Sequence, residues 1–153
     1  MSDERTDAGA GPPAPVGIVV VSHSAALADA TVQLVRQLAN LPDDGPVLLA
    51  AGGIAGGELG TDATLIADAV AAADRGSGVV ILADLGSAVL SALTAVEELL
   101  DPGRAARTRI SGGPMVEGTF VAAVQAAAGD GLDSVLAAAD GAAAMRKVEG
   151  GSR

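Results

Sequence analysis

The 153-residue chain contains one histidine, His23, in the stretch VVVSHSAALAD (Val19 to Asp29), where an apolar run gives way to a helical pattern. An imidazole there is a candidate nucleophile if one ring nitrogen is bare and the other N–H is held by an acceptor. At the start of a helix it would stand beside the unpaired backbone N–H groups of Ser24, Ala25 and Ala26, where the helix dipole favours negative charge. That setting disfavours an imidazolium and suits a neutral ring that takes up an anionic group such as phosphoryl. Asp84, in ADLGSA, is the candidate acceptor for the second nitrogen. The glycines at 52, 53, 56, 57, 60 and 86 allow close backbone approach and N–H groups turned toward phosphate oxygens. With no cysteine and a single histidine, a metal site would need mostly carboxylates, and none is expected.

These residues need elements to position them. VGIVVV (16–21), PVLLAA (46–51) and GVVILA (78–83) are apolar runs of the kind found in strands covered on both faces, and TRIS (108–111) is a shorter fourth. Between the runs lie helical patterns. Leu27, Thr31, Leu34, Val35 and Leu38 mark the inward face of the first. Leu65, Ile66, Val70 and Ala73 mark that of a second beginning near Thr61, and Val89, Leu90, Leu93, Val96 and Leu100 that of a third. Two Ala-rich helices follow, near 116–128 and 132–144. Strand–helix alternation predicts an α/β fold: an open, mainly parallel, doubly wound sheet flanked by helices. Sites in such sheets gather at the carboxyl ends of the strands, which singles out SHSA, GGIAGGELGTD, DLGSA and GGPMVEG. If strands one and three are neighbours, His23 and Asp84 share one edge.

Each residue also has a plainer use. A lone histidine at a strand end commonly serves the turn, and Asp84, Ser87, Thr61 and Asp62 suit helix caps or first turns. The glycines serve turn geometry as readily. Other site classes fail on motif: no Gly-Lys-Ser/Thr follows the glycine-rich loop, no G-x-G-x-x-G occurs, and no G-x-S-x-G elbow frames Ser22 or Ser24. Histidine phosphotransfer survives this elimination best.

Composition bounds the rest. Half the residues are apolar but only Phe120 is aromatic, so the core must be built from Ala, Val, Leu and Ile, with small residues at helix–sheet contacts and room for burial against a second subunit. Nine basic against 19 acidic residues, a net charge of −10, argue against nucleic-acid and anionic-membrane partners. Residues 1–15, with three of the seven prolines, look like a disordered leader, 16–144 the folded domain, and 145–153 a fraying polar tail. The N-terminus lacks signal-peptide character and no apolar run is long enough to span a membrane, so a cytoplasmic protein is expected.

The four loops resemble those of the mannose-type EIIA domains of the bacterial phosphotransferase system. The likeness covers Val16 to Ala144 and rests on IVVVSHSAALADATVQLVRQL, GTDATLIADAV, ADLGSAVLSALTAVEELL and PMVEGTFVAAVQAAAG, in that order. Gly86-Ser87-Ala88, where sugar-type members carry Gly-Gly-Ser-Pro, is similar to the branch serving phosphoenolpyruvate-dependent dihydroxyacetone kinases. The resemblance implies a phosphotransferase subunit in which Nε2 of His23 takes phosphoryl from phospho-HPr and passes it to ADP on a DhaL subunit. A DhaK subunit binds the dihydroxyacetone. It implies Asp84 on the other ring nitrogen, a homodimer, and no cofactor on this chain, magnesium and nucleotide belonging to the partner. Some members of that branch continue into HPr-like and enzyme I-like domains; this sequence shows neither, so a free carrier is the expected donor.

On this reading the phosphoryl oxygens meet Ser24 and Ala25, Gly60 and Thr61, and Gly86 and Ser87, with hydroxyls from Ser22, Thr61 and Ser87. Met115 and Val116 form an apolar docking rim, and Glu117 is a first-turn helix acid. Two rivals share the fold: the EIIA domain of a mannose-type sugar transporter, and a non-catalytic regulatory module.

Overall fold

The computed structural model describes residues 11–150. Every residue of β1 (Gly17–Ser22) is buried, because helices cover both faces of the strand. Ile18 and Val20 point into one apolar cluster, Val19 and Val21 into the other. With β2 (Leu48–Gly52), β3 (Val79–Ala83) and β4 (Thr108–Ile110), β1 forms a four-stranded sheet in the order β2-β1-β3-β4, and every pairing is parallel. Helices α1 (Ala25–Leu38), α5 (Met115–Ala127) and α6 (Leu132–Gly141) cover one face. Helices α2 (Ala63–Ala73) and α3 (Gly86–Thr94) cover the other. A short α4 (Pro102–Ala106) leads into β4. The chain moves outward from β1 to β2, then returns to the far side of β1 for β3. This reversal opens a crevice at the carboxyl ends of β1 and β3.

The helices turn smaller residues inward than the leucine spacing predicts. The buried stripe of α1 is Ala28, Thr31, Val32 and Val35, while Leu27, Leu34 and Leu38 are exposed. Helix α2 buries Ile66, Ala67, Ala69, Val70 and Ala73 and leaves Leu65 partly outside. The third helix begins at Gly86, runs on through a π turn at Ala95–Leu99, and buries Ala88, Ala92 and Ala95, with Leu90 and Leu93 exposed. Counting leucines overlooks alanine, whose single methyl lets a helix axis approach the sheet where a leucine would overpack. The approach is close at Gly52: a Cβ there would stand 2.6 Å from the Ser24 carbonyl oxygen, so this glycine lets the start of α1 seat against the end of β2.

Of the expected leader, residues 1–10 lie outside the described residues. Ala14 and Pro15 are half-buried, and the Ala14 carbonyl accepts from the Ser77 hydroxyl. In the expected tail, Lys147 Nζ lies 2.6 Å from the Glu117 carboxylate, and residues 151–153 lie outside the described residues. Among the described residues no helix is long and apolar enough to cross a membrane.

At the amino end of β3 and β4, Asp74 ties α2 to α4. Its side chain is fully buried and accepts from Arg104 Nε at 3.0 Å and Arg107 Nη2 at 2.7 Å, with the Gly76 N–H at 2.9 Å. Burial alone would raise its pKa, but the Arg107 hydrogen bond, the Gly76 N–H and Arg104 outweigh it and hold the carboxyl well below the usual carboxylate range. A depressed folded pKa contributes stability that is complete above the unfolded value and lost as pH falls toward the folded one. Denaturant unfolding should therefore show stability declining as pH drops below about 4. Asp74→Asn should cost about 2 kcal/mol at neutral pH, less than for a fully buried pair because both guanidinium groups stay partly exposed, and should flatten that acid decline.

Candidate active site

His23 is the first residue beyond β1 and Asp84 the first beyond β3. Val21 is paired with Ala83, so the two loops leave the sheet side by side, and the Asp84 N–H extends the ladder to the Val21 carbonyl at 3.1 Å. The Asp84 carboxylate then accepts four hydrogen bonds. Oδ1 takes His23 Nδ1–H at 2.9 Å and the Leu85 N–H at 2.7 Å. Oδ2 takes the His23 N–H at 3.0 Å and the Ser22 hydroxyl at 2.9 Å. Burial would raise the Asp84 pKa, but the two His23 hydrogen bonds, Ser22 and Leu85 outweigh it and keep the carboxyl below its ordinary value. Asp84 is thus an acceptor only, which places the proton of a neutral His23 on Nδ1 and leaves Nε2 with its lone pair. That nitrogen meets the Ser87 hydroxyl, which donates to it. The His23 side chain is 27% exposed and Asp84 12%, so the ring is open to solvent while its brace is largely covered.

The other expected phosphoryl contacts divide. Ser22 is fully buried, and its hydroxyl serves Asp84 rather than the solvent side of the ring. The Ser24 N–H, expected to be unpaired, donates to Ser22 Oγ at 3.0 Å, and Ser24 Oγ caps α1 by accepting the Leu27 N–H at 3.1 Å. The Gly60 N–H, held in a loop that reaches φ +144° at this glycine, donates to the His23 carbonyl at 2.8 Å. Thr61 shares a hydrogen bond with Ser91 on α3, and Asp62 is the cap of α2. Asp62 caps as its type suggested, whereas in Ser22, Ser24, Gly60 and Thr61 the chain itself consumes a group expected to meet phosphoryl. Ala25 opens α1 on its exposed side.

The N–H groups of Ala25 and Ala26, expected to be unpaired, have no acceptor among the described residues, and Gly86 and Ser87 are open in the same way. The latter two form the first turn of α3, whose N-cap is Leu85, with no side-chain cap. Both are exposed, and their N–H groups have no acceptor among the described residues. Uncapped N–H groups beside a bare imidazole nitrogen make a place for a tetrahedral anion. Met115 lines an open groove of about 590 Å³ with Asp84, Leu85, Gly86, Pro114 and Met145; Val116 is exposed and lies outside that lining. Glu117 lines it too and opens α5, as its position suggested, with Lys147 and its own backbone N–H holding its carboxyl below the ordinary value. Among the described residues no three His, Asp or Glu side chains cluster as metal ligands.

Sequence reasoning missed the Leu85 N–H and the buried role of Ser22. An apolar residue between Asp84 and Gly86 was the one available signal for the open α3 terminus. Because Asp84 accepts from four donors, Asp84→Ala should do more than unhook the ring. It should lower unfolding free energy by about 1–3 kcal/mol through the stranded donors, measured by denaturant melts, while leaving β1–β3 pairing intact by amide exchange.

Comparison with known proteins fits this geometry. The family model EIIA-man, described as the PTS system fructose IIA component, matches residues 17–136. The chain is similar to the phosphoryl donor subunit DhaM of the PEP-dependent dihydroxyacetone kinase of Klebsiella michiganensis, at 41% identity over 136 residues, 88% of this chain and 28% of that protein. It is also similar to the Escherichia coli subunit of the same name, at 40% identity over 79% of this chain and 25% of the relative. The chain therefore spans about a quarter of the length of these relatives. The DhaM subunit of a second such kinase in Listeria innocua is 36% identical over 121 residues, 79% of this chain and 94% of its own length. Among solved structures, EF1359, a protein of unknown function, aligns with a TM-score of 0.71 and 33% identity, covering 82% of this chain and 93% of its own. A sigma-54 interaction domain protein from Enterococcus faecalis, at 19% identity and a TM-score of 0.63 over 82% of this chain and 88% of its own, shares the fold. From residue 17 to 136, then, the chain belongs to the mannose-type EIIA family of phosphotransferase-system components.

Proposed function

We propose that the chain is a phosphohistidine carrier, the phosphoryl donor subunit of a phosphoenolpyruvate-dependent dihydroxyacetone kinase. One observation carries the reading: Asp84 Oδ1 lies 2.9 Å from Nδ1 of a partly exposed His23, which supports a proton on Nδ1 and a lone pair on Nε2 that only the rotatable Ser87 hydroxyl covers. The Nε2 lone pair attacks the phosphorus of a carrier phosphohistidine, HPr by family analogy. One P–N bond forms at Nε2 as the carrier's breaks, and the carrier takes back the electron pair. The Nδ1 proton stays in its bond to Asp84, whose negative charge stabilises the positive charge building on the ring. The Ser87 hydroxyl gives up Nε2 and turns toward a phosphoryl oxygen, joined by the Gly86 and Ser87 N–H groups.

In the second half a terminal oxygen of ADP, held on a DhaL subunit, attacks the same phosphorus, and the electron pair returns to Nε2. The ATP so formed phosphorylates dihydroxyacetone on DhaK. Phosphoryl transfer asks a protein mainly for position and charge stabilisation, which this small site supplies. Magnesium and nucleotide belong to the acceptor, and no resident cofactor is proposed here. The open groove beside Asp84, with Met115 in its wall, supports a docking surface used by donor and acceptor in turn. Exposed Leu27, Leu34 and Leu38 on α1, or Leu90 and Leu93 on α3, support burial against a second copy in a homodimer; the cytoplasm is its expected location by family analogy.

The family model's description as a fructose component favours one other acceptor, the EIIB domain of a sugar transporter. The experiment incubates the chain with phosphoenolpyruvate, enzyme I and HPr, followed by intact-mass analysis. One acid-labile phosphoryl group should appear, and none on a folded His23→Ala variant. Label retained by that variant, or no label on the parent chain, refutes the carrier reading. Chasing the phosphorylated chain with DhaL–ADP or with a transporter EIIB domain identifies the acceptor: discharge to EIIB alone would overturn the kinase assignment.

A further inference from the structure

We infer that Ser22 is a positioning residue that fixes the Asp84 carboxylate and, through it, the tautomer of His23; the inference rests on the phosphohistidine reading. Ser22 closes β1 and is completely buried, so its hydroxyl is out of reach of a transferred group. A hydroxyl has one proton to give. Ser24 N–H occupies an Oγ lone pair at 3.0 Å, so the hydroxyl proton is directed to Asp84 Oδ2 at 2.9 Å. With it, each carboxylate oxygen has two donors: His23 Nδ1 and Leu85 on Oδ1, the His23 N–H and Ser22 on Oδ2.

The consequence concerns rotation. The terminal torsion of an aspartate is broad, and only its hydrogen bonds fix the carboxylate plane. Three of the four donors belong to His23 or to Leu85, both part of the loops that the carboxylate itself ties together. Ser22 is the one donor anchored inside a fully buried strand, and thus the fixed point of the set. Without it Oδ2 keeps a single partner, the plane turns more freely, and the Nδ1–H bond to Oδ1 loosens. A neutral imidazole released from that bond also populates the Nε2–H form, which has no lone pair for phosphorus. Ser22 thereby acts on the nucleophile through one intervening group, the Asp84 carboxylate.

The test is nitrogen-15 NMR of the His23 ring in the full unphosphorylated chain, with phosphoryl acceptance from phospho-HPr measured on the same samples. In the parent chain Nε2 should give the signal of a bare imine nitrogen. Ser22→Ala should remain folded, show a mixture of tautomers, and accept phosphoryl roughly ten- to a hundredfold more slowly, the scale of a lost hydrogen bond to a charged group. Ser22→Thr, which restores the hydroxyl on a residue suited to strands, should recover both. Should the alanine variant lose its fold, Ser22→Cys, of similar size and a weaker donor, takes its place with the same expected mixture. An unchanged tautomer with an unchanged rate, a slowed rate with an unchanged tautomer, or a threonine variant that behaves like alanine would each overturn the role. The NMR pattern needs no phosphoryl donor, so it still decides the point if the carrier function itself fails.

Discussion

The site depends on one carboxylate that joins the ends of two adjacent parallel strands. Asp84 gathers Ser22 and His23 from the end of β1 and Leu85 from its own loop, and the strand order alone brings these groups together. Covering a charge without partners would be costly, and four donors aimed at two oxygens offset that cost. The same saturation gives the ring its chemistry. A carboxylate with every strong acceptor position filled has one orientation, so the imidazole it holds has one tautomer. Stability of the crevice and readiness of the nucleophile are therefore a single property of this pair of loops.

A core with one aromatic residue sets the second constraint. Buried alanines on α2, α3 and α5, with the small Ala, Thr and Val faces of α1 and α6, bring the helices close to the sheet, so volume that large side chains would fill is removed by approach. Close approach at Gly52 also seats the start of α1 beside β2, which puts Ser24 within reach of Ser22. The packing of small residues and the wiring of the site are thus connected through the first turn of one helix. The leucines displaced from these contacts lie outside, on α1 over one face of the sheet and on α3 over the other.

The legible part of this architecture was whatever depended on continuous apolar runs. The first three strands are uninterrupted in the sequence, and from their alternation with helices came the crevice, its four loops and the adjacency of His23 and Asp84. On α1 Thr31 and Val35 face inward as expected, and Val96 and Leu100 pack against the core, but the leucines of α1 and α3 were misjudged because leucine spacing dominates a periodicity count, whereas sheet contact selects Ala88, Ala92 and Ala95. The polar groups were harder still. Ser22, Ser24 and Gly60 have the types and positions of phosphoryl ligands, yet each is bonded within the protein. Whether a hydroxyl or N–H faces a ligand or a neighbouring loop is decided by tertiary placement to within an ångström, and residue type carries no such information.

The two helices that begin at the crevice differ in their caps, although each leaves its first two N–H groups without an acceptor among the described residues. Helix α1 is capped by Ser24 and its preceding N–H is taken by Ser22, as α2 is capped by Asp62 and α4 by Asp101. Helix α3 starts from Leu85, whose side chain has no oxygen to offer. A serine or aspartate there would add about 1 kcal/mol, so leucine leaves stability unclaimed at this one terminus. An acidic cap would also add a second negative charge beside Asp84 and fill the N–H groups next to Nε2. An apolar residue between Asp84 and Gly86 avoids both effects. The carboxylate's charge is kept on the Nδ1 side of the ring, and the donors are kept on the Nε2 side. That separation polarises the imidazole along its own axis, with an anion behind the nucleophile and hydrogen-bond donors ahead of it, the arrangement needed to form and release a bond to phosphorus at a single nitrogen.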